Sequence, residues 1–422
     1  MTTVIGGVGV PGARGATTTV RYASPAGTGT DCTSAEPCSL VTAVNDGPSE
    51  APIEVRIRPG TYGSAAHPLT TGLTPIGMPE TVHGTVNTSP PTIYIGGTSN
   101  GLDASADQTI ENLSLVYSGS AVGFATESSG MTISRVSVIA TTDNGIACEL
   151  LPSAELTDSL CDASGKDGVG IFTFLPPLAS GETATATLVG DTAVAQGSGG
   201  IGIYATTAAN DLLDVDATNL IAMGAADGVF LDNGNSGLSG AAMTASHSDL
   251  GKTSPSGADS GFTLDPTDIT TAPKFVDPAH GNFQERPTSP TINKGAAESP
   301  TDTLDLLGHP RTIGPAPDMG AYELPAKPKV SKPAVVSLRQ RAARMGCQVW
   351  AQDSLTTVRL IATHGTRTIR SKPRTLAATT KSKTVKLTIS GLAPHTHYVI
   401  RAVARNGGGT VTSKSRRIKT KR

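Results

Sequence analysis

Between residues 110 and 232 the chain repeats one short pattern: a turn residue, a glycine, then apolar and small side chains in alternation. It reads NGIACEL from Asn144, DGVGIFTF from Asp167, GGIGIYAT from Gly199 and DGVFLDN from Asp227, and AVGFATE from Ala121 fits the same frame. A second aliphatic position lies about twelve residues before each of these, at Ile110, Ile133, Leu156, Leu188 and Val215. Alternation with period two argues for strands. Two strand signals per period of about 23 residues, lengthened by insertions at turns, predict a right-handed parallel β-helix.

In such a coil, equivalent positions of successive rungs stack about 4.8 Å apart. Three inward columns are predicted: Val122, Ile146, Val169, Ile201 and Val229; Phe124, Cys148, Ile171, Ile203 and Leu231; and Leu115, Val138, Cys161, Ala193 and Leu220. All are apolar, and a one-residue slip would send polar side chains inward. Cys148 and Cys161 therefore read as buried thiols behaving as small hydrophobes, with a cross-core disulfide as the alternative. Asn144, Asp167, Gly199 and Asp227 form a turn ladder of residue types that tolerate left-handed backbone.

The outward column reads Ala125, Glu149, Phe172, Tyr204 and Asp232, beside a strip of Gly123, Ala147, Gly170, Gly202 and Phe230. Aromatic faces pack on sugar rings, so Glu149, Phe172, Tyr204 and Asp232 are the candidate ligand-binding residues. The competing expectation is that the insertion LPPLASGETATAT simply covers Phe172 and Tyr204. Catalysis needs closer carboxylates. Glu149 and Asp232 stand three rungs apart, roughly 14 Å, beyond the ~5–9.5 Å of glycosidase pairs. Asp167 and Asp227, two rungs apart at roughly 10 Å, are the catalytic candidates that remain. Lys166 is expected to pair with Asp143 on the adjacent rung. A lyase would need a carboxylate cluster holding calcium, the one cofactor the pattern leaves room for; no metal-ligand spacing is present.

Charge divides the chain. Residues 327–422 carry 22 Lys and Arg against Asp353 alone, a balance of +21, while residues 1–326 stand at −23, so the net −2 conceals both. A tail this basic suits a polyanionic partner, with docking on the acidic body as the alternative. Nucleic acid is disfavoured because Trp350 and Tyr398, the tail's only aromatics, read as structural. LPAKPKVSKP is a stiff linker that places the boundary near 326. No apolar run is long enough to span a bilayer. Residues 1–17 are expected to be disordered or a truncated signal region. Cys32 and Cys38, six residues apart, read as a disulfide staple if the chain is exported, and Cys347 is left odd.

The segments FVDPAHGNFQERPTSPTINKG and TDTLDLLGHPRTIGPAPDMGAYE carry Phe275, Val276, Asp277, Ser289, Pro290, Ile292, Gly295, Asp305, Gly308, Arg311, Asp318, Gly320, Ala321, Tyr322 and Glu323. In these residues the chain resembles the secreted bacterial β-helix proteins of the pectin-lyase-like superfamily called choice-of-anchor Q. VRYASPAGTGTDCTSAEPCSLVTAV and VRIRPGTYGS resemble that group's opening strand and entry turn. The resemblance covers roughly residues 18–324, within a β-helix domain of 18–326, and implies that about 275–324 form a C-terminal cap, with Arg311 paired to Asp305 or Asp318. The stretch LTISGLAPHTHYVIRAVARNGGGT resembles the late strands of a fibronectin type III module, with Trp350 as a core residue of an early strand. The implied protein is all-β: a β-helix followed by a small β-sandwich. It would be secreted or at the cell surface, binding polysaccharide or anionic cell-wall polymer without catalysis. The alternative is a polysaccharide lyase or glycoside hydrolase of the same superfamily.

Overall fold

The computed structural model describes residues 18–47, 52–75, 80–85, 90–105, 108–126, 131–176, 183–207, 211–233, 240–257, 260–297, 304–352 and 354–422. The expectation for residues 1–17 and the acidic Asp353 lie outside them. The first part is a parallel β-helix with three walls. One wall stacks strands from Thr19–Ala23 and Ile53–Ile57 through Glu155–Thr157, Thr183–Val189 and Leu212–Thr218 to Gly261–Leu264. A second runs through the later halves of Gln108–Tyr117 and Thr132–Ala140 into Leu160–Ala163, Thr192–Ala195 and Ile221–Gly224. The third stacks Leu102–Ala104, Val122–Thr126, Ile146–Leu150, Val169–Leu175, Ile201–Thr207, Asp227–Asp232 and Thr253–Ser256.

The predicted register holds over four rungs. Ile110, Ile133, Leu156 and Leu188 stack in line, as do Phe124, Cys148, Ile171 and Ile203. The last rung departs. Leu188 faces Ala217 rather than Val215, Ala193 faces Ala222 rather than Leu220, and Ile203 faces Val229 rather than Leu231. Each displacement is two residues, which conserves the inward face. On the third wall, where the shift runs the other way from the first two, the cause is the turn that leads into it, residues 196–200 in one coil and only 225–226 in the next. The column of Val122, Ile146, Val169 and Ile201 is half-buried at the wall's edge; the core proper is built on Phe124, Cys148, Ile171, Ile203 and Val229.

Left-handed residues mark the corners. Asn112, Arg135, Asp158, Gly190, Asn219 and His247 turn the chain from first wall to second, all with φ between 49 and 69°. Asn144, Asp167 and Gly199 do so between second and third. Asp227, expected to join that ladder, lies instead inside a strand opposite Ile201, because the shortened turn leaves no room for the corner.

Cys32 and Cys38 form the expected disulfide. Cys148 and Cys161 are also disulfide-bonded, with Cα atoms 5.8 Å apart, which corrects the buried-thiol reading. Both point inward, from the third and second walls, and the coil is thin enough there for the side chains to meet. Lys166 does not pair with Asp143 through its ammonium: Nζ lies 3.1 Å from Asp167, and only its backbone N–H donates to Asp143, at 2.9 Å.

The segment expected to cap the coil's end lies along its flank. Phe283, Leu306, Ala321 and Tyr322 pack on Leu160 and Val194, outward residues of the second wall. That wall is consequently buried on both faces, and its strands Leu160–Ala163 and Thr192–Ala195 are buried throughout. Arg311 reaches across to the coil, its Nε 2.7 Å from Asp158, and its Nη1 lies 3.5 Å from Glu323. It donates to the Asp318 backbone carbonyl, 3.0 Å away, and its charge acts on the Asp318 carboxyl, while Asp305 accepts backbone N–H groups from Leu307, His309 and Glu323.

Residues 329–419 form a two-sheet β-sandwich of antiparallel strands with its own apolar core around Met345, Leu360, Ile389, Tyr398 and Ile400. Trp350 is not in that core. Met345, Cys347 and Val349 take the inward positions of its strand, so alternation turns Trp350 outward. Cys347 is a buried free thiol whose pKa is pushed up by burial.

Candidate functional site

The third wall presents one outward column across seven coils: Asp103, Ala125, Glu149, Phe172, Tyr204, Phe230 and Ser254. Strand alternation puts these side chains outside, while Phe124, Cys148, Ile171 and Ile203 fill the core. The two-residue displacement of the last rung brings Phe230 onto Tyr204, so the predicted pair of aromatics is a ladder of three. Ring centroids are 5.5 Å apart from Phe172 to Tyr204 and 5.4 Å from Tyr204 to Phe230, tilted by 54° and 53°. Phe174 widens it: its ring is nearly parallel to that of Phe172, 6.3 Å away. All four rings are half-buried.

Acids border the ladder at both ends. Glu149 stacks directly before Phe172. Burial raises its carboxyl pKa above the ordinary value, and the charge of Asp103 adds to that. Asp232 lies beside Thr206 in the neighbouring column and accepts a hydrogen bond of 3.1 Å from the Tyr204 hydroxyl. That hydroxyl is itself raised by burial and by the Asp232 charge. The structure thus brings Phe172, Tyr204 and Asp232 together, with Glu149 one rung behind.

The strip of small residues predicted beside this column is not part of the surface. Gly123, Ala147, Gly170 and Gly202 are buried, facing the second wall. A Cβ on Gly170 would stand 2.6 Å from the Gly202 carbonyl oxygen and 2.9 Å from the Val194 nitrogen, so the walls approach too closely for a side chain. Residues 177–182 of the insertion LPPLASGETATAT, the competing cover expected for Phe172 and Tyr204, lie outside the described residues, and its later part runs into the first-wall strand Thr183–Val189. Phe174 and Phe230 were missed as site residues, although the short turn at 225–226 carries the signal for the second.

Asp167 and Asp227 sit in different columns, each held by its own cation. Asp167 is exposed at a left-handed corner with Lys166. Asp227 bonds Ser254 at 2.6 Å and Lys252 at 2.8 Å. Burial alone would raise the Asp227 carboxyl, but these two partners more than offset it and hold it below the usual carboxylate range. A carboxyl so held is ionised at neutral pH and unsuited to donate a proton. Among the described residues no group of three His, Cys, Asp or Glu side chains is arranged to hold a metal ion, and no helix is long and apolar enough to cross a membrane.

No family model matches the chain, and no curated protein matches it. Among solved structures, the sensor domain of the anti-sigma factor RsgI4 of Pseudobacteroides cellulosolvens is 15% identical over 22% of this chain and 94% of that one, with a TM-score of 0.19. The fibronectin type-III domain of human fibronectin type III domain containing protein 3 is 16% identical over 23% of this chain and 84% of that one, with a TM-score of 0.16. Similarity this slight carries no argument about what the chain does.

Proposed function

We propose that this protein is an extracellular, non-catalytic rod of the choice-of-anchor Q type that binds a polysaccharide along its third wall. The observation that carries the reading is the ladder Phe172–Tyr204–Phe230, widened by Phe174 and bordered by Glu149 and Asp232. Half-buried rings repeating at one-coil intervals offer apolar faces to successive sugar rings, and the flanking carboxylates and tyrosine hydroxyl are acceptors and donors for sugar hydroxyls. Two disulfides agree with an oxidising compartment. The family-like terminal segment holds the second wall, on the flank away from the ladder, and so reads as scaffold.

The test is retention on a panel of neutral and acidic polysaccharides, with and without calcium, scored together with new chain ends. Binding to one polymer should fall at least ten-fold, about 1.4 kcal/mol, in F172A/Y204A/F230A, without new ends in the parent protein. Cleavage of any polymer, or full binding by the triple variant, would overturn the reading.

A further inference from the structure

The sandwich has two outward faces, alike in exposure and unlike in charge. On the four-stranded sheet, Arg344 and Lys386 stand among Gln348, Thr384 and Thr388. On the six-stranded sheet, alternation turns Arg359, Arg370, Arg401, Arg405, Arg417 and Lys419 outward, and all six are exposed. The pairing register orders them. Arg417 lies opposite Val399, two residues before Arg401 on the same strand. Arg401 lies opposite Ile361, two residues beyond Arg359. Lys419, Arg417, Arg401 and Arg359 therefore form a diagonal row, with neighbouring Cα atoms roughly 7–8 Å apart and a total length of about 23 Å from ordinary strand dimensions. Arg370 and Arg405 flank it. No Asp or Glu occurs among the described residues of 327–422 to relieve the repulsion.

We infer that this row is a binding site for a linear anionic polysaccharide bearing carboxylate or sulfate groups. Guanidinium forks pair with such anions in bidentate fashion, which favours the arginine-rich row over scattered lysines. Six like charges gathered on one face, when the other face of the same sandwich intersperses Arg344 and Lys386 with threonine and glutamine, lower stability unless a partner neutralises them. Between the cations the face offers Ile361, Val399, Val403 and threonines, with the imidazole of His397, opposite Lys419, at one end of the row and no outward Phe, Tyr or Trp among the described residues of its strands. One imidazole at the end of the row gives no run of stacking platforms for successive bases, whereas hydroxyls and guanidinium forks along its length suit the carboxylates or sulfates of an acidic glycan. The site is separate from the ladder of the rod and deepens only the expectation that the basic tail meets a polyanion.

The experiment uses the full chain on immobilised polygalacturonate and heparin, with single-stranded and duplex DNA as competitors, across a salt series. R359E/R401E/R417E should lose retention at least ten-fold and show a flattened salt dependence, whereas R344E/K386E on the opposite face should stay within about two-fold. A milder R359T/R401T/R417T variant, with its melting temperature unchanged, guards against misfolding as the cause and should lose retention as well. The ladder variant F172A/Y204A/F230A should keep its retention on both polyanions, so that failure of either site is read independently. Equal losses from both faces, or DNA displacing the protein at lower concentration than either glycan, would overturn the assignment.

Discussion

The rod and the sandwich treat charge in opposite ways. In the rod, Asp158, Asp162, Asp191, Asp249, Asp305, Asp318, Glu285 and Glu323 are buried; among the described residues of the sandwich the buried polar side chains are the uncharged Thr356, Ser371, Asn406, Ser413 and Thr420. The difference follows from where backbone groups find partners. Antiparallel hairpins satisfy their own N–H groups in the sheet. A coil with left-handed corners, flanked by an irregular segment, leaves N–H groups that only side chains can reach. Carboxylates fill that need. Asp191 accepts from Ser159 N at 2.8 Å; Asp318 accepts from Asn293 N and Leu324 N, both at 2.6 Å; and Glu323 accepts from Ile313 N and Asp318 N, both at 2.9 Å. Buried acids are thus the mortar of the flank, and Arg311 is the cation among them.

The largest blow to this arrangement is predicted for Arg311→Met. It strands Asp158 and Glu323 without their cation, and breaking a buried pair from one side costs about 3–5 kcal/mol. Hydrogen exchange should show protection lost across residues 155–224 and 275–324 and unchanged across 356–419; uniform loss in both would mean that the two parts do not stand apart. Cys148→Ala with Cys161→Ala should lower rod stability by about 2–3 kcal/mol, since the crosslink closes a separation of 13 residues. Denaturant midpoints of the oxidised parent and the double variant measure this.

A pH series sharpens the contrast. Burial pushes Asp162, Asp249, Glu285 and Glu323 each up to about 7. A carboxyl whose folded pKa is raised binds its proton more tightly in the folded chain. Rod stability should therefore rise as pH falls through 7, by on the order of 1 kcal/mol per pH unit for each such acid, and level off near the ordinary carboxylate pKa of about 4. Thermal melts between pH 8 and 5 should move the rod and leave the sandwich in place. The smallest effect is expected where charge is exposed: Arg401→Thr should change sandwich stability by no more than about 0.5 kcal/mol, and a larger loss would show that the cationic row has a structural duty.

Legibility tracked the physics of alternation. The in–out parity of Phe124, Cys148, Ile171 and Ile203 was readable because each strand has one wet and one dry face, and Phe172 and Tyr204 were exposed as site candidates by the same parity. Phe230 was misplaced by one column, since a two-residue shift leaves no trace in parity. Trp350 was assigned inward on resemblance, although its own strand, with Val349 inside, turns it out.

From sequence alone, then, came the repeat, the coil, the sandwich, the inward columns and the division of charge, all of which depend on near neighbours in the chain. Only the tertiary structure decided that Cys148 meets Cys161, that Phe230 completes the ladder, and that Arg311 grips Asp158. Those contacts depend on the length of each turn and on which coil the terminal segment lies against. A change of three residues in a turn alters the partners without changing the pattern that reveals the fold.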